Sequence, residues 1–300
     1  MSNRVAIIGT GSIGIDLMYK TINSKELDLR FVVGRRSDSP GMKEAMLRGV
    51  ATSSEGIAYL EDNIDKIDIV FDATSASSHA EHDRVFCKHN KFVVDLTPAK
   101  LGELCVPVIN MESLKDSRNI NLITCGGQAS LPLAYALKNS CEKVLYVEVI
   151  SSISSDSAGI ATRENLNEYV ETTEFALRSF TDAEASKAIL NINPAVPQVC
   201  MQTTLYARCE KVDIERLRSN VNSVVKKVKE YVPGYNLVLE PLVDSGSVTL
   251  AVQVYGSGDY LPEYSGNLDI INSAAIAVAK FKSKVSGAGS RAVAIEERLA

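Results

Sequence analysis

No two of the six cysteines (Cys87, Cys105, Cys125, Cys141, Cys200 and Cys209) form a CxxC pair. That argues against a structural zinc site built on paired thiolates. No apolar run approaches the roughly 18 residues needed to cross a bilayer. The opening MSNRVAIIGTGSIG is too short on apolar residues for the core of an export signal, and it reads directly into a strand. A cytosolic protein with reduced thiols is therefore expected. An excess of positive charge is also missing. The net charge of -5 argues against nucleic acid or an anionic membrane as the main partner. Histidine is scarce, with only His79, His82 and His89. With no third ligand near them no metal site is expected, and they read as a solvated helix face. No internal repeat is visible.

What remains is an ordinary soluble composition, 45% hydrophobic and 23% charged, in a chain long enough for two domains. Its first part alternates strand and helix signals. Strands are predicted over 4–8, 29–33, 67–71, 92–95 and 121–124, with helical patterns over 12–24, 43–47 and 79–89 between them. That alternation implies a parallel sheet covered by helices on both faces. Later strands are expected over 144–153, 188–192, 203–209, 237–239 and 248–254. Helices are expected over 164–180, 212–231 and 267–281. The second part thus reads as an α+β unit with a mostly antiparallel sheet. The expected division is a dinucleotide-binding unit over 1–125, an α+β catalytic unit over 126–266, a returning helix over 267–284 and a flexible tail over 285–300.

Gly9-Thr10-Gly11-Ser12-Ile13-Gly14 follows a strand and opens a helix. Glycines there permit a tight turn, and the helix N-terminus offers unpaired N–H groups to a pyrophosphate. A dinucleotide cofactor is therefore expected. An acidic residue commonly ends the second strand and bonds the ribose, but Arg35 and Arg36 stand there instead. Guanidinium groups suit a 2′-phosphate, so NADP stays open beside NAD.

Thr124-Cys125-Gly126-Gly127-Gln128 lies where a strand ends and a helix begins. A thiol at a helix N-terminus feels the positive end of the dipole, and its pKa is expected to fall. Thiolate attack on an aldehyde, loss of hydride and release of a thioester to a second nucleophile form a coherent sequence. Cys125 is the expected nucleophile, and the other five cysteines are expected to be small hydrophobes in the core. Gln128 reads equally as an oxyanion donor or as a cap of backbone groups. Asp72 and Ser75 read either as lining of the cofactor cleft or as helix caps.

The segments AIIGTGSIGIDLM, DIVFDATSASSH, DLTPAKLGELCVPVIN, ITCGGQASLPLAYAL, SAGIATRENLNEYVETT, YVPGY and YLPEYSGNLDIINSAA carry a resemblance over nearly the whole length. The chain resembles the acylating acetaldehyde dehydrogenases, which partner a class II 4-hydroxy-2-oxovalerate aldolase in the catabolism of aromatic compounds and sterols. The resemblance implies oxidation of a short aliphatic aldehyde by NAD with transfer of the acyl group to coenzyme A. It implies an α/β fold, a Rossmann dinucleotide-binding domain plus an α+β catalytic and dimerisation domain, on the two-domain plan of semialdehyde and glyceraldehyde-phosphate dehydrogenases. It also implies a homodimer and an aldolase feeding aldehyde through a channel. Cys125 matches the acyl-thioester nucleophile. Thr10 to Gly14 match the pyrophosphate loop. Ser157, Ala158, Gly159, Ile160, Ala161, Thr162, Arg163 and Asn165, together with Asn267, match segments that close over the dinucleotide.

The chain departs from the family pattern at four places. Arg35-Arg36 replace Ile-Asp, and Ile160-Ala161 replace the Pro-Gly of SAGPGTR. Thr203 in MQTTLY stands where the family has the acid of MRDTVY, and the stretch between YVPGY and YLPEYSGNLDI is short. Two other readings are carried forward. One is a cysteine-dependent semialdehyde-type dehydrogenase using phosphate or water as acyl acceptor, which would commonly need a histidine beside the thiol. The other is a weakly active dinucleotide-binding partner or sensor protein.

Overall fold

The computed structural model describes residues 2–299, the side chains of Ile160, Ala161 and residues 286–299 excepted. Seven strands form the first sheet: β1 (Asn3–Ile8), β2 (Leu27–Val33), β3 (Ala51–Ser53), β4 (Ile69–Asp72), β5 (Phe92–Asp95), β6 (Glu103–Leu104) and β7 (Asn119–Asn121). Their order is β3-β2-β1-β4-β5-β7-β6 and every pair is parallel. Val5 to Ile8 of β1 and all of β4 and β5 are buried, as expected for central parallel strands covered on both faces. The connections contain α1 (Ser12–Ile22), α2 (Pro40–Leu47), α3 (Ile57–Asp62), α4 (Ala76–Lys88) and α5 (Pro107–Asn110). The short elements β3, β6, α3 and α5 carry too few periodic residues to be read from the sequence.

Beyond β7 the chain enters α6 (Cys125–Lys138) and then a second sheet of β8 (Lys143–Ser154), β9 (Ala185–Asn193), β10 (Met201–Glu210), β11 (Tyr235–Asp244) and β12 (Ser247–Val254). Its order is β11-β12-β10-β8-β9. All its pairs are antiparallel except β8 with β9. Burial alternates cleanly along β10, where Met201, Thr203, Leu205, Ala207 and Cys209 point inward. One face is therefore packed and the other left open. The packed face carries α6, α8 (Leu166–Thr181) and α9 (Ile214–Lys229), with the short α7 (Ile160–Glu164) preceding α8. Leu217, Val221, Val225 and Val228 form the buried stripe of α9, whose first turn is capped by the Asp213 carboxylate. Each fully buried aliphatic side chain of such a stripe contributes about 1.5–3 kcal/mol.

The strand pair β11–β12 closes through Ser245 and Gly246, both in the left-handed region. Such a two-residue turn matches the twist of the strands that it joins. The last helix, α10 (Gly266–Leu299), returns to pack on α1. Asn272 donates to Ile13 O and to Asp16, and Lys20 is ringed by Asp16, Asp259 and Asp269. Ala300 and the side chains from 286 onward, where the flexible tail of 285–300 was expected, lie outside the described residues. Among the described residues no helix is long and apolar enough to cross a membrane, and no cluster suited to a metal ion is found.

Candidate active site

In the first sheet the strand order turns back at β1 and β4, and ligands of open α/β sheets bind beyond the carboxyl ends of the strands at such a point. The loop after β1 is Gly9 to Gly14. Gly9 has φ +116°, and a Cβ there would lie 2.4 Å from Ala73 O of the loop after β4. A Cβ on Gly14 would lie 1.9 Å from Gly9 O, so the turn closes only without side chains at both positions. Thr10 is held by a hydrogen bond from Ser39, and Ile13 is half-buried against the first core. Gly11 and Ser12 are exposed, nothing lies within 4 Å of a Cβ built on Gly11, and no side chain caps α1. Open space in front of uncapped N–H groups is what a pyrophosphate requires, so the residues present fit a dinucleotide.

Arg35 and Arg36 are both exposed just past β2. Arg36 is not free, because its guanidinium donates to Asp38 at 3.1 and 3.0 Å. The other expected cofactor segment is tied to the start of α10. Asn267 is 1% exposed and donates to Ser157 O at 3.4 Å, while its Oδ1 is buried without a partner. An orphaned acceptor of this kind fits an amide or hydroxyl donor of a ligand. Ser157 and Ala158 are buried and Gly159 is exposed. Arg163 folds back on this loop through Ala158 O and Ser155. Thr162 is half-buried, and Asn165 immediately precedes α8. The side chains of Ile160 and Ala161 lie outside the described residues.

Cys125 is the first residue of α6 and is half-buried. Thr124 caps the helix by accepting from Gly127 N–H at 2.9 Å. Thr124 Oγ1 also meets Thr173 Oγ1 at 2.8 Å, and Thr173 in turn donates to Tyr169 O. The cysteine loop is therefore fastened to α8. Just before it, Ile123 sits at φ +67°, a costly conformation for a β-branched residue. Asn121 Oδ1 accepts from Ile123 N–H at 2.8 Å and holds that bend.

The expected fall in the cysteine's pKa is not found. Burial pushes the Cys125 thiol up to about 11, outweighing the opposing hydrogen bonds of Tyr169 and of the Gly126 and Cys125 amides. The helix start acts in the anticipated direction, and desolvation is larger. Sγ lies 3.9 Å from the Tyr169 hydroxyl. Ser151 Oγ and the phenol oxygen both lie against Gly126, and Ser151 Oγ lies 3.0 Å from Thr203 Oγ1. No residue type in the sequence alone pointed to Tyr169 or Ser151. The signal is spatial, because β8, β10 and α8 bring these side chains together.

The histidines do not form a solvated helix face. His79 and His82 are buried, not solvated, and both place Nδ1 2.8 Å from Asp72 Oδ2. His79 Nε2 also lies 3.3 Å from Asp95 Oδ2. The strand ends put these carboxylates side by side, since Asp72 pairs with Asp95 and Asp95 with Asn121 in the sheet. Burial opposes ionisation of Asp72, yet the two imidazoles hold it down at about 2. Burial pushes Asp95 up to about 6. His79 rises despite burial, through its bond to Asp72 and the charge of Asp95. His89 instead reaches Glu61.

Asp72 is thus part of this cluster, while Ser75 caps α4 by accepting from Ser78 N–H. Gln128 donates from Nε2 to Cys105 O and Leu122 O, so the nitrogen an oxyanion would need caps backbone, while its Oε1 is buried without a partner. Of the cysteines expected in the core, Cys105 and Cys209 are buried, Cys141 and Cys200 half-buried, and Cys87 exposed. Cys87 falls outside the buried stripe of α4, which is formed by His79, His82 and Phe86.

Two family models match. Residues 125–262 match "Prokaryotic acetaldehyde dehydrogenase, dimerisation" and residues 4–117 match "Semialdehyde dehydrogenase, NAD binding domain". An acetaldehyde dehydrogenase of Burkholderia pseudomallei (strain K96243) is 56% identical over 96% of this chain and 97% of its own. One from Pectobacterium atrosepticum is 50% identical over 94% and 96%. Among solved structures, aspartate semialdehyde dehydrogenase from Candida albicans superposes with a TM-score of 0.67 over 93% of this chain and 100% of its own. At 11% identity that likeness shows the shared fold alone.

Proposed function

The chain belongs to the acetaldehyde dehydrogenase family, and on that premise we propose that it converts acetaldehyde or another short aliphatic aldehyde to acyl-CoA through a thioester on Cys125. It is an oxidoreductase acting on aldehydes, with a binding domain for NAD(P). The observation that carries the finer reading is the position of Cys125, fixed by Thr124 at the first turn of α6 beyond the end of β7. That is the sheet edge from which the Gly9–Gly14 loop also leaves.

The cofactor would lie with its pyrophosphate on the N–H groups of α1, with Arg35 and Arg36 toward the adenosine end and Asn267 offering its free Oδ1. Bound there, NAD or NADP supplies the acceptor for the aldehyde's hydride. The protein's own part begins when the Cys125 thiolate attacks the aldehyde carbon. An S–C bond forms and the carbonyl oxygen takes the electron pair. After oxidation the acyl group remains on Sγ as a thioester. The coenzyme A thiol then attacks the acyl carbon, and Cys125 leaves as thiolate. The segment Ser157–Asn165, fastened to α10 through Ser157 and Asn267, would exclude water while the thioester waits.

The semialdehyde-type rival is disfavoured by the histidines. His79 and His82 are committed to Asp72 and His89 is beside Glu61, whereas the thiol faces Tyr169. Its acyl acceptor is nevertheless testable. Enzyme mixed with aldehyde and NAD is expected to give at most one NADH per active site without coenzyme A, and sustained turnover with it. Sustained turnover without coenzyme A, or with phosphate in its place, would overturn the acylating reading.

The open face of the second sheet, with Ile150 and Thr204 paired across β8 and β10, fits a homodimer. Ile150→Asp is expected to elute as a monomer. An aldolase partner belongs to the same proposal, tested by co-elution with a class II 4-hydroxy-2-oxovalerate aldolase.

A further inference from the structure

Resting on the reading of Cys125 as nucleophile, we propose that Tyr169 is a catalytic residue whose hydroxyl hydrogen-bonds the Cys125 thiolate, and that Ser151 and Thr203 position it as a chain of neutral hydroxyls. The geometry is specific. Tyr169 OH lies 3.9 Å from Sγ, within reach of a hydrogen bond to sulfur. A Cβ built on Gly126 would meet Tyr169 OH at 2.1 Å and Ser151 Oγ at 2.9 Å. Both hydroxyls therefore converge over the one backbone position beside the cysteine that carries no side chain. Thr203 Oγ1, on the neighbouring strand, lies 3.0 Å from Ser151 Oγ. Every member of the chain beyond the cysteine is buried.

Among the described residues the side chain that meets the sulfur is the Tyr169 phenol, with the Gly126 and Cys125 amides beside it. Desolvation disfavours the thiolate here, and hydrogen bonds from dipoles are the means left to recover it. Hydroxyl donor directions can rotate, which carboxylates cannot do. With the thiol protonated, S–H donates to the phenol oxygen, the phenol to Ser151, and Ser151 to Thr203. When the thiol proton leaves to water, the chain reverses: Thr203 donates to Ser151, Ser151 to the phenol, and the phenol to S⁻. Each hydroxyl keeps its proton, and no oxidant or reductant takes part. The fastening of α8 to the cysteine loop through Thr124 and Thr173 holds the phenol in register for both arrangements.

The test is the pH dependence of Cys125 alkylation by iodoacetamide, read by peptide mass spectrometry, together with kcat/KM for acetaldehyde. Tyr169→Phe is expected to move the alkylation midpoint upward by about one unit or more and to lower kcat/KM by about 10²-fold, the range for loss of one oxyanion donor. Ser151→Ala is expected to shift both in the same direction by less. Gly126→Ala drives a methyl group into the phenol and is expected to reproduce Tyr169→Phe. Binding of NAD and the far-UV spectrum report whether each variant is folded. An unmoved midpoint in folded Tyr169→Phe would overturn the proposal. Loss of aldehyde-dependent acylation at Cys125 in the wild type would instead sink the underlying reading, so the two failures are distinguishable.

Discussion

At the ends of β4 and β5 stands a buried set of ionisable residues: Asp72, Asp95, His79 and His82. Around Cys125 stands a set of buried hydroxyls: Thr124, Ser151, Tyr169, Thr173 and Thr203. Both groups sit at the margin of the first sheet's carboxyl edge, and both are almost wholly shielded from water. The difference follows from what each must do. The ionisable group compensates its charges internally, with one carboxylate shared by two imidazoles, and fixes loops. It also supports the cysteine without touching it, because Asp95 accepts from Asn121, and Asn121 holds the strained bend at Ile123. On the proposed mechanism the hydroxyl group serves a sulfur that alternates between thiol, thiolate and thioester. Dipoles that rotate suit all three states, whereas a fixed buried charge would suit one and penalise the others.

The contrast is broken most severely at the sulfur itself. Cys125→Ala is expected to lower kcat by on the order of 10⁴-fold or more while leaving NAD binding intact, measured as NADH formation and cofactor fluorescence. The same change should leave unfolding stability nearly untouched, since no charge loses its partner.

The ionisable side should show the opposite pattern. Asp72→Ala leaves two buried imidazoles without their carboxylate and is expected to cost about 3–5 kcal/mol in urea unfolding. The remaining folded fraction should keep kcat within tenfold of wild type.

How much of this was readable in advance differs between the two sides as well. The Gly9–Gly14 turn and the Thr124–Cys125 helix start are local patterns, so strand, turn and helix order sufficed to see them. The hydroxyl chain was illegible because Ser151, Tyr169 and Thr203 come from three separate elements. The histidines misled for a related reason. Spacing of three residues shows that His79 and His82 share a helix face, but not that the face packs on Asp72 at a strand end. Burial also reversed the expected direction for the Cys125 thiol, and burial is a property of the whole fold.

A finer prediction concerns pH. Asp95 has its folded pKa raised to about 6, above the unfolded carboxylate value of 3.8. Its favourable contribution is therefore full below about 3.8 and lost as pH rises through about 6. Asp95→Asn mimics the protonated form. Chemical unfolding should show the variant gaining on the wild type between pH 4 and 7, with no further gain above. A constant difference across that range would show that Asp95 does not titrate in the folded protein.

The smallest effect is expected at the exposed arginines. Arg36 already donates to Asp38, so a 2′-phosphate must compete for it. Arg36→Asp is expected to lower the NADP-to-NAD ratio of kcat/KM by about tenfold, in line with the loss of one charged contact. An unchanged ratio would place the 2′ position elsewhere.

The central claim is that Cys125 carries the acyl group to coenzyme A. Rapid quenching of enzyme mixed with acetaldehyde and NAD, followed by intact-mass and peptide analysis, tests it most directly. The predicted result is one acetyl group per chain on Cys125, discharged as acetyl-CoA when coenzyme A is added. NADH formed in sustained turnover with no acetyl group on Cys125 at any time would contradict it.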